Sequence, residues 1–142
     1  MNSSLNTTTS LPVEPVPPSL YQQIGGADKL RELVDRFYDL MMLEEDFSIV
    51  RELHPEKMEG SRDKLFWFLS GWMGGPDLYI TQFGHPRLRA RHLPFAIGIK
   101  ERDEWLVCMA SAMLDVGLEE NLRDHLLQSF YQTADWMRNK EG

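Results

Sequence analysis

A chain of 142 residues, 42% of them apolar and 26% charged, is long enough for one globular domain with a buried core. A net charge of −7 and a pI near 5.0 make the surface as a whole repel phosphate backbones and anionic lipid, so neither nucleic acid nor a membrane is an expected partner. The lone cysteine, Cys108, allows no internal disulfide and no cysteine-based metal cluster, which suits a reducing cytoplasm.

The opening MNSSLNTTTSLPVEPVPP is rich in Ser, Thr, Asn and Pro and has neither a basic n-region nor an apolar h-region. The expectation is a flexible extension over residues 1–18, without a signal peptide or membrane span, ahead of one domain over residues 19–142.

From Ser19 the pattern becomes helical. SLYQQIGG gives a short turn stopped by Gly25 and Gly26, and Leu30, Leu33, Val34, Phe37, Leu40 and Met41 then recur at helical spacing, predicting an amphipathic helix over 27–43. EEDFSIVRELHPE supports one or two further turns with Phe47, Val50 and Leu53 inward, and Pro55 drives His54 out of helical geometry. A second strong helix runs from Ser61 with Leu65, Phe68, Leu69 and Trp72 on one face, and GGP at 74–76 ends it.

Residues 77–99 hold Gly84, Pro86, Pro94 and Gly98 and show no sustained period, which predicts a functional loop with one short helix from Pro86 to about His92. Two more helices are expected, over 100–117 with Trp105, Leu106, Met109, Met113 and Val116 inward, and over 119–138 with Leu122, Leu126, Phe130 and Met137 inward. Trp67, Trp72 and Trp136 read as core filling. No segment alternates for long enough to suggest a sheet, so the fold class is all-α, with a pocket at the long irregular segment.

His54, His85, His92 and His125 are scattered and show neither H-x-x-x-H nor Glu-x-x-His pairing, which disfavours a protein-only zinc or di-iron site. Haem asks for less: one imidazole, an apolar slot and cations for two propionates. GHPRLRARHLPF at 84–95 could supply all three, with His92 as the ligand, Arg87, Arg89 and Arg91 at the rim, and Leu93, Pro94 and Phe95 in the slot. Spacing alone leaves His92 open between that role and a surface histidine beside a solvated basic patch. Tyr38 lies on the apolar face of its helix, as a ligand-facing phenol or as a core tyrosine reaching water; Trp105 is either a donor to a bound ligand or core filling. The two Gly-Gly pairs follow no strand and read as helix stops, and no G-x-S-x-G elbow is present.

The pieces YQQIGG, RFY at 36–38, HPE at 54–56, GGP at 74–76, GHPRLRARHLPF at 84–95 and ERDEWLVCM at 101–109 stand in the order and approximate spacing of one family. From about Leu20 to the C-terminus the sequence closely resembles the group II truncated haemoglobins, short globins with a two-over-two helical sandwich. The resemblance implies haem b as cofactor, His92 as its proximal ligand, and Tyr38, Trp105, His54 and Ser61 on the distal side. It also implies Leu65, Phe68 and Phe95 against the haem, and Lys64, Tyr79 and Arg91 near the propionates, with Arg87 and Arg89 bracing the loop.

The function so implied is reversible binding of O2 and other diatomics, CO and NO among them, with slow O2 release. The alternatives are a haem enzyme acting on peroxide or NO with an unidentified reductase, and a haem-free helical interaction module.

Overall fold

The computed structural model describes residues 17–141, all of whose regular elements are helical. The expected extension at 1–18 lies, apart from its last two residues, outside the described residues. In chain order the helices are α1 (Leu20–Ile24), α2 (Ala27–Leu43), α3 (Ser48–Arg51), α4 (Glu59–Trp72), α5 (Leu78–Phe83), α6 (Leu88–His92), α7 (Ile99–Asp115) and α8 (Glu120–Trp136), with a 3-10 turn at Glu45–Phe47. Among the described residues no helix is long and apolar enough to cross a membrane.

Local chemistry accounts for the boundaries. Ser19 accepts the Gln22 N–H while the Gln22 side chain returns to the Ser19 N–H, a reciprocal cap that starts α1. Gly25, at φ 112°, ends it in the left-handed region that side chains disfavour. At the end of α4 the buried Ser70 hydroxyl donates to the Pro76 carbonyl at 2.7 Å, which secures the GGP turn. Glu101 accepts the Gly98 N–H at 2.7 Å and opens α7.

Packing follows the helical period. Leu30, Leu33, Val34, Phe37 and Met41 of α2 are fully buried, against Met109, Ala112 and Met113 of α7 and Leu126 of α8 in one contiguous core. α2 packs on α4 and on α7, and α7 on α8, which is the two-over-two arrangement of long helices. Ion pairs stitch their outer edges: Arg31 to Asp63 and Arg62 to Asp35 and Asp39 between α2 and α4, Arg36 to Asp115 between α2 and α7, and Arg102 to Asp135 between α7 and α8.

Two expectations are corrected. Residues 78–83, expected to be irregular, form α5; at six residues it is too short to display a period, and only Tyr79 of it is buried. Trp136, expected in the core, is 65% exposed at the last position of α8, where the Arg89 guanidinium lies 5.4 Å from its ring centre.

Candidate functional site

A cavity of about 440 Å³ opens between the long helices and the α5–α6 segment. α2 supplies Tyr38, the turn after α3 supplies His54, and α7 supplies Trp105. α4 contributes Ser61, Lys64, Leu65 and Phe68. α5 and α6 supply Tyr79, Arg91 and His92, and Phe95 follows them. These eleven residues, all expected at the site from the sequence, therefore line one space, although their positions span 38 to 105.

The segment carrying His92 is built to aim it. Nδ1 of His92 lies 2.7 Å from the Leu88 carbonyl one turn back; a carbonyl only accepts, so Nδ1 carries the proton and Nε2 is left with a free lone pair able to ligate a metal. α6 itself buries no residue, and contacts from the end of the chain hold it. The Asn139 amide donates to the carbonyls of His92 at 3.3 Å and Phe95 at 2.7 Å, while its side-chain oxygen accepts the Ile97 N–H at 2.9 Å. Arg89 donates to the carbonyls of Trp136 and Arg138, so it braces the loop as expected.

The expected slot is partly corrected. Leu93 is 56% exposed, and neither it nor Pro94 lines the cavity; Leu88 and Ile97 line it instead. A residue four positions before His92 shares its helix face, whereas the next residue is rotated by roughly 100°. Arg87 also lies off this cavity, with its backbone in the left-handed region at φ 48° and its N–H donating to His85 Nδ1.

The side chains near Tyr38 form an aromatic cluster. Phe37 meets Tyr38 and Trp105 edge-on, each at 5.1 Å, Trp105 meets Phe130 at 5.5 Å, and Tyr38 meets His54 at 5.6 Å. Tyr38 is only 4% exposed, and among the described residues its hydroxyl has no hydrogen-bond partner. Burial pushes its acidity well below that of an ordinary phenol, more than the nearby Arg62 charge offsets, so the hydroxyl keeps its proton as a donor. The Trp105 indole N–H likewise has no partner among the described residues. His54 donates from Nδ1 to the Val50 carbonyl at 2.9 Å. Burial holds its pKa below the ordinary histidine value, and the bond to the Val50 carbonyl only partly opposes this.

At the rim, the Arg91 guanidinium sits 5.6 Å from the Tyr79 ring centre and donates to the Pro86 carbonyl at 2.7 Å. Lys64 extends to 5.8 Å from the Phe83 ring centre. Among the described residues neither cation is paired with a carboxylate, in contrast to Arg31, Arg36, Arg62, Arg102 and Arg138. An apolar cavity with the free Nε2 of His92 on one side, that of His54 on the other, unpartnered donors and unpaired cations at its mouth has the chemistry of a haem site.

The family model for bacterial-like globins matches residues 19–139. The chain belongs to that globin family. Within it, the globin is 39% identical over 120 residues to the group 2 truncated hemoglobin YjbI of Bacillus subtilis, covering 84% of this chain and 88% of that protein. It superposes on the group II 2-on-2 hemoglobin of Agrobacterium tumefaciens with a TM-score of 0.84 at 37% identity, covering 91% of this chain and all of the other. The truncated oxygen-avid haemoglobin of Bacillus subtilis superposes with a TM-score of 0.79 at 38% identity, covering 86% and 100%. The globin is thus a haem-binding truncated haemoglobin.

Glu104 and Asn139 were missed by sequence reasoning. Each acts through a backbone bond to a segment remote in the chain, the Glu104 contact spanning 54 positions, and no local pattern announces such a partner.

Proposed function

We propose that this globin binds O2 reversibly, with CO and NO as further ligands, and releases O2 slowly. The observation that carries the reading is the buried Tyr38 hydroxyl, a donor without a protein partner in the wall of the cavity. The oxygen-avid character of the Bacillus subtilis relative supports it. Haem b is the form assigned, because the single cysteine provides no C-x-x-C-H attachment. Bound haem supplies an iron that takes small diatomic ligands.

The chain's own residues do the rest. His92, its tautomer fixed by Leu88, would offer Nε2 to the iron; Leu65, Phe68 and Phe95 would offer apolar surface to the macrocycle; Arg91 and Lys64 would receive the propionates, with Tyr79 packed beneath Arg91. Tyr38 and Trp105 donate toward the partial negative charge that O2 acquires in this space, while His54 and Ser61 complete its polar wall. A hydrogen bond to a charged acceptor is worth about 1.5–3 kcal/mol, so two such donors favour slow release over rapid carriage. A cytoplasmic setting accords with the free, buried Cys108.

Haemin titration of the haem-free protein tests the reading. The expected result is a Soret band at one haem per chain, together with ferrous O2 and CO spectra, and His92→Ala weakens or abolishes haem uptake. Equal uptake and identical spectra in His92→Ala would overturn the ligand assignment.

A further inference from the structure

α3 is four residues long and starts from Phe47, whose side chain accepts no hydrogen bond; the Ser48 N–H is taken by the Glu45 carbonyl of the preceding turn, but no local side chain caps the N–H groups that follow. One of those groups finds its acceptor across the molecule: the Val50 N–H donates to Oε1 of Glu104 on α7 at 2.8 Å. The Val50 carbonyl in turn accepts Nδ1–H of His54 at 2.9 Å. A carbonyl cannot donate, so this bond selects the His54 tautomer with its proton on Nδ1 and its lone pair on Nε2. His54 and Tyr38 both line the cavity and meet edge-on at 5.6 Å. Trp105, the residue after Glu104, lines the same cavity, while Glu104 does not. A single turn of α7 therefore delivers an indole into the space and a carboxylate to the segment behind it.

We propose that Glu104 is a positioning residue that sets the direction of hydrogen bonding in the ligand space: by capping α3 from α7 it holds the Val50 carbonyl where it locks His54 as an acceptor. The inference rests on the ligand-binding reading of the cavity. In the locked tautomer neutral His54 accepts at Nε2 and cannot donate there, which leaves donation to Tyr38 and Trp105. Without the Glu104 acceptor, α3 loses its only contact to this N–H among the described residues. The Val50 carbonyl then shifts with its helix, and the other tautomer becomes available to His54.

The test uses the full-length haem-loaded ferrous protein with CO, a diamagnetic form suited to nitrogen-15 NMR. Two quantities are read, hydrogen exchange at the Val50 amide and the nitrogen shifts of the His54 ring, in wild type, Glu104→Ala, Glu104→Gln and Glu104→Asp. Wild type is expected to show Nδ1 protonated and a protected Val50 amide. Glu104→Ala should accelerate Val50 exchange about tenfold or more and give His54 mixed tautomers. Glu104→Gln, which keeps an acceptor oxygen of the same reach, should stay close to wild type.

Glu104→Asp keeps the charge but is one methylene short, so it should follow Glu104→Ala in direction; it decides the matter if Glu104→Ala does not fold. Unchanged exchange and unchanged His54 shifts in the Ala and Asp variants would overturn the proposal. A Gln variant as perturbed as Ala would also do so, because net charge rather than the placed acceptor would then be at work. Neither readout depends on which group retains O2, so their failure is separable from failure of the ligand-binding reading.

Discussion

Replacing Tyr38 with Phe removes one oxygen atom and should change two quantities in opposite senses. The ring stays packed against Phe37 at 5.1 Å, against His54 at 5.6 Å and beneath the Arg62 guanidinium at 5.7 Å, so no cavity is created and the cluster keeps its shape. In the haem-free protein the lost hydroxyl belongs to a buried side chain and has no partner among the described residues. Leaving a hydroxyl unsatisfied costs about 1–3 kcal/mol, and water entering the cavity offsets part of that, so Tyr38→Phe should stabilise the haem-free protein by about 1 kcal/mol. In the loaded ferrous protein the same change deletes a charge-assisted donor worth about 1.5–3 kcal/mol, so O2 should dissociate about ten- to a hundredfold faster. Urea unfolding of the haem-free protein measures the first effect, and stopped-flow displacement of O2 by CO the second. An unchanged O2 dissociation rate together with a less stable haem-free protein would refute the argument, since the hydroxyl would then have a structural partner rather than a ligand.

The lowered pKa of His54 makes haem-free stability depend on pH. Its folded pKa lies below the ordinary 6.5, so between the two values the unfolded chain binds more protons; the stabilisation is complete above pH 6.5 and is lost as pH falls through the folded pKa. His54→Asn keeps a donor for the Val50 carbonyl and should flatten this part of the curve in denaturation midpoints measured between roughly pH 5 and 7.5; an equally steep curve would assign the slope to another group. Gly75→Ala would set a Cβ against the Tyr21 ring, which packs over the turn after α4, and should destabilise the fold by about 1–3 kcal/mol in thermal or urea unfolding.

The long helices were legible because each buries one stripe: every α2 residue expected inward is buried, and the bounds 27–43 match. His92 was legible as a candidate because an imidazole beside cations and apolar residues is an unusual local composition. Leu93 was misread because composition does not specify helical phase, and α6 turns Leu88 rather than Leu93 toward the cavity. Trp136 was misread because residues near a helix end escape the stripe rule when no neighbouring element covers them; among the described residues only the Arg89 guanidinium stacks on its ring. The supports of the site, Glu104 for α3 and Asn139 for the His92 segment, act through backbone groups 54 and 42 to 47 positions away. Only the folded chain reveals them.

The two groups of residues around the cavity are held by different means, and this bears on how haem enters. Tyr38 and Trp105 project from α2 and α7, whose inner faces are the core itself, so their place is fixed before any cofactor arrives. His92 stands on a helix with no buried residue, tethered to the C-terminal residues by the Asn139 amide, which donates to the His92 carbonyl, and by its own Arg89, which donates to the Trp136 and Arg138 carbonyls. Backbone bonds of this kind are worth about 0.5–1.5 kcal/mol each in water, too little to replace a hydrophobic face. The apolar contact that α6 lacks is the one a macrocycle would add through Leu88, Phe95 and Ile97. A ligand that binds only the folded form stabilises it by mass action, and one seated in this cavity would add apolar contact to the segment that has least of its own. On the proposed reading haem would finish one wall of a cavity whose other wall is already built, and the Tyr38 and Trp105 donors would not need the cofactor to assemble them.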